Sequence, residues 1–231
     1  GQTITVGTGS LTTAVDATSP GSANVVGNSM PKVASFRYNA SNEAFTLTEI
    51  GVTVGSATSS AIISELVFKD GAVELKRVPM NNTAATATGL SIAVPYNSSK
   101  VVDVYASLGS VGTGFATTSL NAAVSLSSTK YMNSSGATLW ENTARAGTAQ
   151  YVFKTKPTIT NVALPGTLLS AGTMTVGRFM ITADAGGTIG WKELTLTVAS
   201  STGITAASWA LYDDANQSSA ITMTSANVTN T

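Results

Sequence analysis

The chain repeats part of itself, and this self-similarity constrains its architecture more than any other feature of the sequence. Residues 33–40 (VASFRYNA) recur as residues 176–183 (VGRFMITA), and the likeness continues through residues 45–54 against 189–198. Chance similarity between segments rich in Ser and Thr is the alternative, but the matched positions are mainly the large apolar ones. The sequence therefore predicts one structural unit that is begun twice.

Both copies interrupt their apolar alternation at the same place. In the first copy, apolar residues alternate at positions 45 and 47 and then at 50, 52 and 54. In the second, they alternate at 189 and 191 and then at 194, 196 and 198. Because strand side chains have a period of two, this change of parity would send the later residues to the opposite face. Either a β-bulge restores the facing, or the strand passes from one sheet to another.

The remaining sequence consists of short alternating runs separated by Gly, Asn, Ser and Pro. Residues 90–94, 102–106, 120–126 and 151–155 are such runs, and residues 95–99 (PYNSS) predict a turn. This spacing is typical of β-sandwiches, and no segment shows a convincing amphipathic helical pattern. We therefore expect an all-β protein made of tandem immunoglobulin-like Greek-key β-sandwiches, the second of them incomplete in this chain.

The repeat also predicts the domain organisation. We expect an N-terminal extra strand or linker at residues 1–8, a first sandwich at residues 9–156 and a partial second unit at residues 157–231. Pro157 marks the boundary because proline interrupts a strand ladder. The second copy lacks counterparts of the later strands of the first. Either the natural chain continues beyond Thr231, or another molecule supplies the missing strands.

Composition excludes several classes of function. Charged residues make up 10% of the chain, with 12 basic and 12 acidic side chains, and no basic stripe predicts a nucleic-acid partner. No stretch approaches the roughly 18 apolar residues of a membrane span. The absence of Cys and His excludes thiolate chemistry, the usual triads and ordinary zinc sites. The hydroxyl-rich and amide-rich surface is typical of exported proteins. If this protein is secreted, its signal peptide has already been removed from this numbering.

A family resemblance extends over most of the chain from about residue 9. It is carried by SLTT at 10–13, Ser19, Pro20, Val33, Phe36, Ala40, Glu49, Ile50 and FKTKPT at 153–158. In these segments the sequence resembles the repeated immunoglobulin-like domains of secreted S-layer-like or pilus-like surface proteins of candidate-phyla-radiation bacteria. The resemblance implies an extracellular cell-surface protein with a structural or adhesive role and no catalytic residues. This chain departs from the long multi-domain members of that family by stopping within its second unit.

The expected function is that of a non-catalytic structural subunit, in a surface lattice or an extracellular filament. Its partner would be further copies of the chain, in a homo-oligomer or polymer. A surface adhesin or carbohydrate-binding module that recognises cell-surface glycans is the alternative, and a secreted hydrolase is a distant third.

The search for catalytic and cofactor sites predicts none. Ser127 and Lys130 fit an S-x-x-K pattern, but they follow an alternating strand instead of starting a helix. The carboxylates are scattered, which disfavours an acid pair for glycoside hydrolysis. Asp213, Asp214 and Asn216 offer oxygen ligands and form a weak candidate calcium site, although Asp and Asn are also ordinary turn residues.

Several residues are candidates for contact with sugars. Trp140, Trp191 and Trp209 could stack on sugar rings, but Trp191 lies in an alternating strand, which favours core packing. Candidate N-glycosylation sites follow the Asn-x-Ser/Thr pattern. They are Asn39, Asn81, Asn97, Asn133, Asn216 and Asn227.

The N-terminal segment is a candidate assembly strand. Residues 3–6 (TITV) alternate like a short strand outside the repeated unit. Ile4 and Val6 would be the apolar plugs if this strand were added to the open edge of a neighbouring molecule. Pairing within the first sandwich of the same chain is the alternative.

Overall fold

The alternating runs of the sequence form β-strands. The computed structural model describes residues 2, 7–55, 61–112, 120–166, 168, 170–184, 186–190, 194–196 and 208–222. Across these residues the regular secondary structure is entirely β, which confirms the predicted fold class, and no helix is present that could span a membrane.

The strands are short and closely spaced along the chain. They are β1 (Ser10–Val15), β2 (Ala23–Val26), β3 (Lys32–Ser41), β4 (Phe45–Val54), β5 (Ile63–Asp70), β6 (Val73–Pro79), β7 (Ala84–Val94), β8 (Ser99–Leu108), β9 (Leu120–Asn121), β10 (Val124–Met132), β11 (Thr138–Glu141), β12 (Gln150–Phe153), β13 (Pro157–Asn161), β14 (Phe179–Ala183), β15 (Leu211–Asp213) and β16 (Asn216–Ile221).

Two antiparallel sheets form an immunoglobulin-like sandwich. One has the strand order β1-β3-β8-β5-β6 and the other β11-β10-β4-β7. Most neighbouring strands are remote in sequence, so the chain crosses repeatedly from one sheet to the other, as it does in Greek-key sandwiches. A small third sheet, β2-β12-β9, is held by β12, which runs parallel to β2 and antiparallel to β9.

The core lies between the two main sheets. Phe36 and Tyr38 of β3 and Val104 of β8 are fully buried on one side, opposite Leu47 and Ile50 of β4. Burial of one such side chain contributes about 1.5–3 kcal/mol relative to exposure. Phe36, one of the large apolar residues matched in the repeat, is therefore a core residue.

The parity change in β4 is a bulge, and the strand stays in one sheet. Leu47 and Glu49 pair with consecutive residues of β10, Tyr131 and Lys130, so Thr48 is the extra residue. The Thr48 hydroxyl donates a hydrogen bond to the Lys130 carbonyl at 3.1 Å. Ile50, Val52 and Val54 thereby face the core again. In the second copy, positions 191–193, 197 and 198 lie outside the described residues.

The run at residues 151–155 corresponds to β12, which buries the residues that flank Tyr151. β12 presents Gln150 and Val152 to the interior, while Tyr151 is 38% exposed. Gln150 is accommodated because its side-chain amide donates to the carbonyl of Gly21 at 2.9 Å. The alternation of Tyr151 and Phe153 predicts a strand but does not predict which of its faces is buried.

The chain divides into one compact unit, Gly1–Ile189, and a second, Gly190–Thr231. Within the first, β13 pairs antiparallel with β14, and within the second, β15 pairs antiparallel with β16. The repeat boundary at Pro157 stays a prediction.

Candidate assembly surfaces

The edges of the two main sheets differ in how they are protected. β6, at one edge of the five-stranded sheet, carries Glu74, Lys76 and Arg77 and ends at Pro79. Arg77 bonds to Glu74 at 3.0 Å and also to Glu65. The hydrogen bond from Arg77 to Glu74 lowers the pKa of Glu74. Charges and proline on an edge strand oppose pairing with another chain.

β7, at one edge of the four-stranded sheet, has no such protection. Its 11 residues (AATATGLSIAV) contain neither a charge nor a proline. Its only described partner strand is β4, and its solvent-facing residues are Ala, Thr, Ser and Gly. Among the described strands of the sandwich, β7 therefore presents the long uncharged edge.

An exposed aromatic platform lies on the outer face of the four-stranded sheet. Trp140 of β11 stands opposite Lys130 of β10, and Lys130 stands opposite Glu49 of β4. The Lys130 Nζ lies 5.3 Å from the centroid of the Trp140 ring and 2.9 Å from Glu49 Oε1. Trp140 remains 51% exposed, so an aromatic surface is presented beside a fixed ion pair.

The segment after β12 is held by one carboxylate. Asp184, directly after β14, accepts hydrogen bonds from the Thr155 hydroxyl at 2.8 Å, the Lys156 amide at 3.0 Å and the Gly186 amide at 2.8 Å. These bonds, led by that from Gly186, lower the pKa of Asp184. A side chain at Gly186 would collide with the Lys154 carbonyl oxygen. The junction between β12 and the β13–β14 hairpin is therefore closely packed.

The candidate calcium ligands lie together in the β15–β16 hairpin. Asp213 Oδ1 accepts from the Ala215 amide at 3.0 Å, and Asn216 Oδ1 accepts from the Ser218 hydroxyl at 2.7 Å. Asp214 Oδ1 accepts from the Gln217 side chain at 3.3 Å. Over the described residues no group of three or more acidic side chains is placed to share a metal ion. Calcium binding at this turn stays a prediction.

The candidate glycosylation sites differ in accessibility. Asn81 and Asn216 are exposed, whereas Asn39 is half-buried in β3. Asn97 is exposed, with its side-chain oxygen accepting from the Asn42 amide at 2.7 Å. Asn133 is half-buried, and its side-chain oxygen accepts from the Ala137 amide at 2.8 Å. Asn227 lies outside the described residues.

The S-x-x-K pattern lies within strand β10, where Lys130 is engaged by Glu49. A surface depression is lined by Pro165, Gly166, Leu168, Met174 and Thr175, and none of these described lining residues is charged. Three sequence-predicted residues, Ile4, Val6 and Trp191, lie outside the described residues, while Trp209 is half-buried.

Comparisons with known proteins report distant similarity. No protein-family model matches the chain, and no curated protein matches it. Among solved structures, the chain is similar to BcpA, the major pilin subunit of Bacillus cereus, at 7% identity and a TM-score of 0.34, over 66% of this chain and 42% of that one. It is also similar to fibronectin(III)-like modules of Clostridium thermocellum CbhA, at 12% identity and a TM-score of 0.19, over 75% of this chain and 64% of that one. The chain thus spans less than half the length of the pilin subunit it matches.

Proposed function

We propose that the chain is a non-catalytic structural subunit of a cell-surface assembly, either an S-layer-like lattice or a pilus-like extracellular filament. The observation that carries this proposal is that two of the strand pairings of the sandwich have counterparts in the segments that the sequence repeat matches. β1 pairs with β3, whose residues 36–40 correspond to residues 179–183 of β14, and β14 pairs with β13. β5 and β6 form a hairpin whose counterpart is β15 and β16. Repeated sandwich modules extend a chain without a change in local structure, which suits a load-bearing array.

The junction held by Asp184 supports the same role. A subunit that transmits force needs its modules joined by a segment with little freedom. Hydrogen bonds from Thr155 and Lys156 to one carboxylate restrict the backbone where the sandwich ends and the next hairpin begins. This arrangement differs from the flexible Gly/Ser linkers that join independently moving domains.

The charge balance also favours close packing of copies. The formal net charge is +0, so the copies experience little long-range electrostatic repulsion as they approach. Contacts made through short hydroxyl and amide side chains would also depend weakly on salt, because few ion pairs are involved.

The test has two readouts. Antibody labelling and cell fractionation should place the protein on the outside of the cell that makes it. Negative-stain electron microscopy of the purified chain should show ordered sheets or filaments. A protein that stays inside the cell, or one that turns over a polysaccharide substrate, would contradict the proposal.

The N-terminal strand is proposed as one assembly contact. Residues 1–8 would add to the open edge of a neighbouring second unit, with Ile4 and Val6 as apolar plugs. Such head-to-tail contacts are heterologous and propagate unless a ring closes. Deletion of residues 1–8 should leave the sandwich folded and abolish polymers, and assembly equal to that of the intact chain would refute this contact.

The Trp140 platform favours glycan binding as a second candidate function. An exposed indole beside a charged pair offers a stacking face together with hydrogen-bonding groups, which are the usual parts of a sugar site. Trp140→Ala should then abolish binding on a glycan array, while Tyr96→Ala, which removes an aromatic that is 61% exposed elsewhere, should leave it unchanged. Binding that persists in Trp140→Ala would remove this candidate.

A further inference from the structure

The hydrogen-bonding parity of β7 can be read from its first residues. The Val54 amide donates to the Thr83 carbonyl at 2.8 Å, so Thr83 directs its backbone groups toward β4. In an antiparallel ladder this role alternates along the strand. Ala85 and Ala87 therefore also direct their backbone groups toward β4. The alternate residues, Ala84, Thr86 and Thr88, direct their N–H and C=O groups away from the sheet.

The outward N–H and C=O groups of Ala84 are already hydrogen-bonded within the chain. The Ala84 amide donates to the Asn81 carbonyl at 3.2 Å, and the Asn81 amide donates to the Ala84 carbonyl at 3.1 Å. Thr86 and Thr88 are the next residues with this orientation. Within the described part of the chain, no group bonds to their outward N–H and C=O groups. Both side chains are exposed on the outer face of the sheet.

We propose that this edge binds β7 of a second copy of the chain. This inference rests on the proposed function and names one contact of the assembly. A two-fold axis at Ala87 places Thr86 opposite Thr88 of the second copy and Thr88 opposite Thr86 of the second copy. Each of these two pairs exchanges two main-chain hydrogen bonds, because the outward groups of all four residues meet.

The second copy fits this edge better than an unrelated strand for two reasons. The register is self-complementary, since the two-fold axis brings threonine opposite threonine, a pairing that adds side-chain hydrogen bonds across strands. The edge also carries no charge, so two copies approach without repulsion, whereas β6 carries the charges that discourage pairing. The paired stretch is limited to one side of the bulge at Gly89, so the contact is short and its strength depends on concentration.

The contact also explains how an assembly could grow in two directions. A two-fold contact is isologous and by itself closes a dimer. Combined with one head-to-tail contact, it joins chains side by side and produces a sheet of filaments. Loss of the β7 contact would therefore reduce lateral association and leave end-to-end contacts intact.

The test places charge on the edge. Association of the full 231-residue chain is measured by sedimentation velocity over a concentration series. The double variant T86K/T88K opposes lysine to lysine across the axis and should weaken association about tenfold or more. Val73→Lys, which places one lysine at a 64% exposed position of β6, is the control and should associate like the original chain.

Charge reversal gives a rescue experiment. T86E/T88E should also fail to associate with itself, but a mixture with T86K/T88K should associate more strongly than either variant alone. A role of these threonines in folding alone would give no such rescue. Thr86→Pro removes an outward N–H without touching the ladder with β4, so it should abolish association and keep the original melting temperature.

Cross-linking tests the register. The chain contains no Cys, so an introduced pair is unique. Thr86→Cys mixed with Thr88→Cys places the two sulfurs across a pair whose Cα atoms are about 5.5 Å apart, within reach of a disulfide. Oxidation should give a covalent dimer, and Thr86→Cys mixed with Val73→Cys should not.

The outcomes separate this inference from the proposed function. Self-association of T86K/T88K equal to that of the original chain, or a monomeric original chain at every concentration, overturns the β7 contact. Neither result changes where the protein is found in fractionated cells, which is the readout of the surface role. A protein found inside the cell would overturn the surface role even where the β7 pair forms.

Discussion

Arg37 of β3 closes an ion pair on Asp16, a carboxylate with no exposed side-chain surface. Asp16 directly follows β1, and its other oxygen accepts from the Thr18 amide at 2.8 Å and the Thr18 hydroxyl at 2.6 Å. The resulting Asx-type turn positions Ser19, whose hydroxyl oxygen accepts a hydrogen bond from the Ser35 amide at 3.1 Å. One buried carboxylate therefore fixes the loop after β1 against β3.

The first prediction concerns the pH dependence of stability. The Thr18 hydroxyl bond is the largest contribution lowering the pKa of Asp16, with further lowering by the Thr18 amide and Arg37, against opposition from burial. A carboxylate whose pKa is lower in the folded state stabilises the fold above its unfolded value of about 3.9, and this contribution is lost as the pH falls through the folded value. Asp16→Asn should lower the free energy of unfolding at pH 7 by roughly 1–3 kcal/mol.

Urea unfolding followed by circular dichroism at pH 7 and pH 2 measures this difference, which should shrink at pH 2. Asp70→Asn is the control, because Asp70 is 40% exposed and its pair with Lys100 is on the surface. It should cost no more than about 1 kcal/mol. Equal costs for the two variants at pH 7 would show that the Asp16 turn has no special role.

The second prediction concerns the core. Phe36 has no exposed surface, and its ring lies between the two sheets. Phe36→Ala should lower the free energy of unfolding by about 3–5 kcal/mol, and Phe36→Asp should prevent folding of the sandwich because it buries an unpaired charge. Thermal melting monitors both, with Tyr96→Asp as the exposed control. A normal melting temperature for Phe36→Asp would contradict the core assignment.

Much of the sandwich is predictable because its signals are local. The alternation in β7 and β8, the turn at residues 95–99 and the parity change in β4 all depend on neighbouring residues. A bulge leaves a trace in the sequence because it moves the apolar positions by one residue. The choice between a bulge and a change of sheet needed the pairing partners, Tyr131 and Lys130, which are about eighty residues away.

Other features depend on contacts between distant residues and leave no local trace. Gln150 is buried because the Gly21 carbonyl accepts its amide, a contact spanning 129 residues. The Asp184 junction and the Trp140–Lys130–Glu49 row likewise join separate strands. The open edge of β7 follows from strand order, since a strand has the same sequence pattern whether one or both of its sides are paired.

The third prediction concerns the bulge in β7 that faces Thr48. Gly89 has φ +69°, a left-handed conformation that disfavours a Cβ, although the space around it is open. Gly89→Ala should therefore lower the free energy of unfolding by about 1–2 kcal/mol through backbone strain alone. Gly89→Asn should lower it less, because Asn tolerates the left-handed conformation. Urea unfolding checks the cost. Gly21→Ala, also in open space but without a left-handed φ, should have little effect, and equal costs at the two positions would exclude backbone strain as the cause.

The last prediction concerns the junction. Asp184→Ala removes the acceptor of the Thr155 hydroxyl and of the Lys156 and Gly186 amides, so amide hydrogen exchange at Lys156 and Gly186 should accelerate. Asp184→Asn keeps one acceptor oxygen and should protect one side of the junction, giving an intermediate result. The melting temperature of the sandwich should not change, because no core residue is altered.

Hydrogen exchange followed by mass spectrometry or NMR resolves these amides. Asp213→Ala is the control, because it removes a turn carboxylate of the same kind from the β15–β16 hairpin and should leave the exchange of Lys156 unchanged. Exchange at Lys156 that is as slow in Asp184→Ala as in the original chain would show that the carboxylate does not restrain this segment. The stiffness assigned to the junction would then have to come from backbone packing around Gly186, where an added side chain would meet the Lys154 carbonyl.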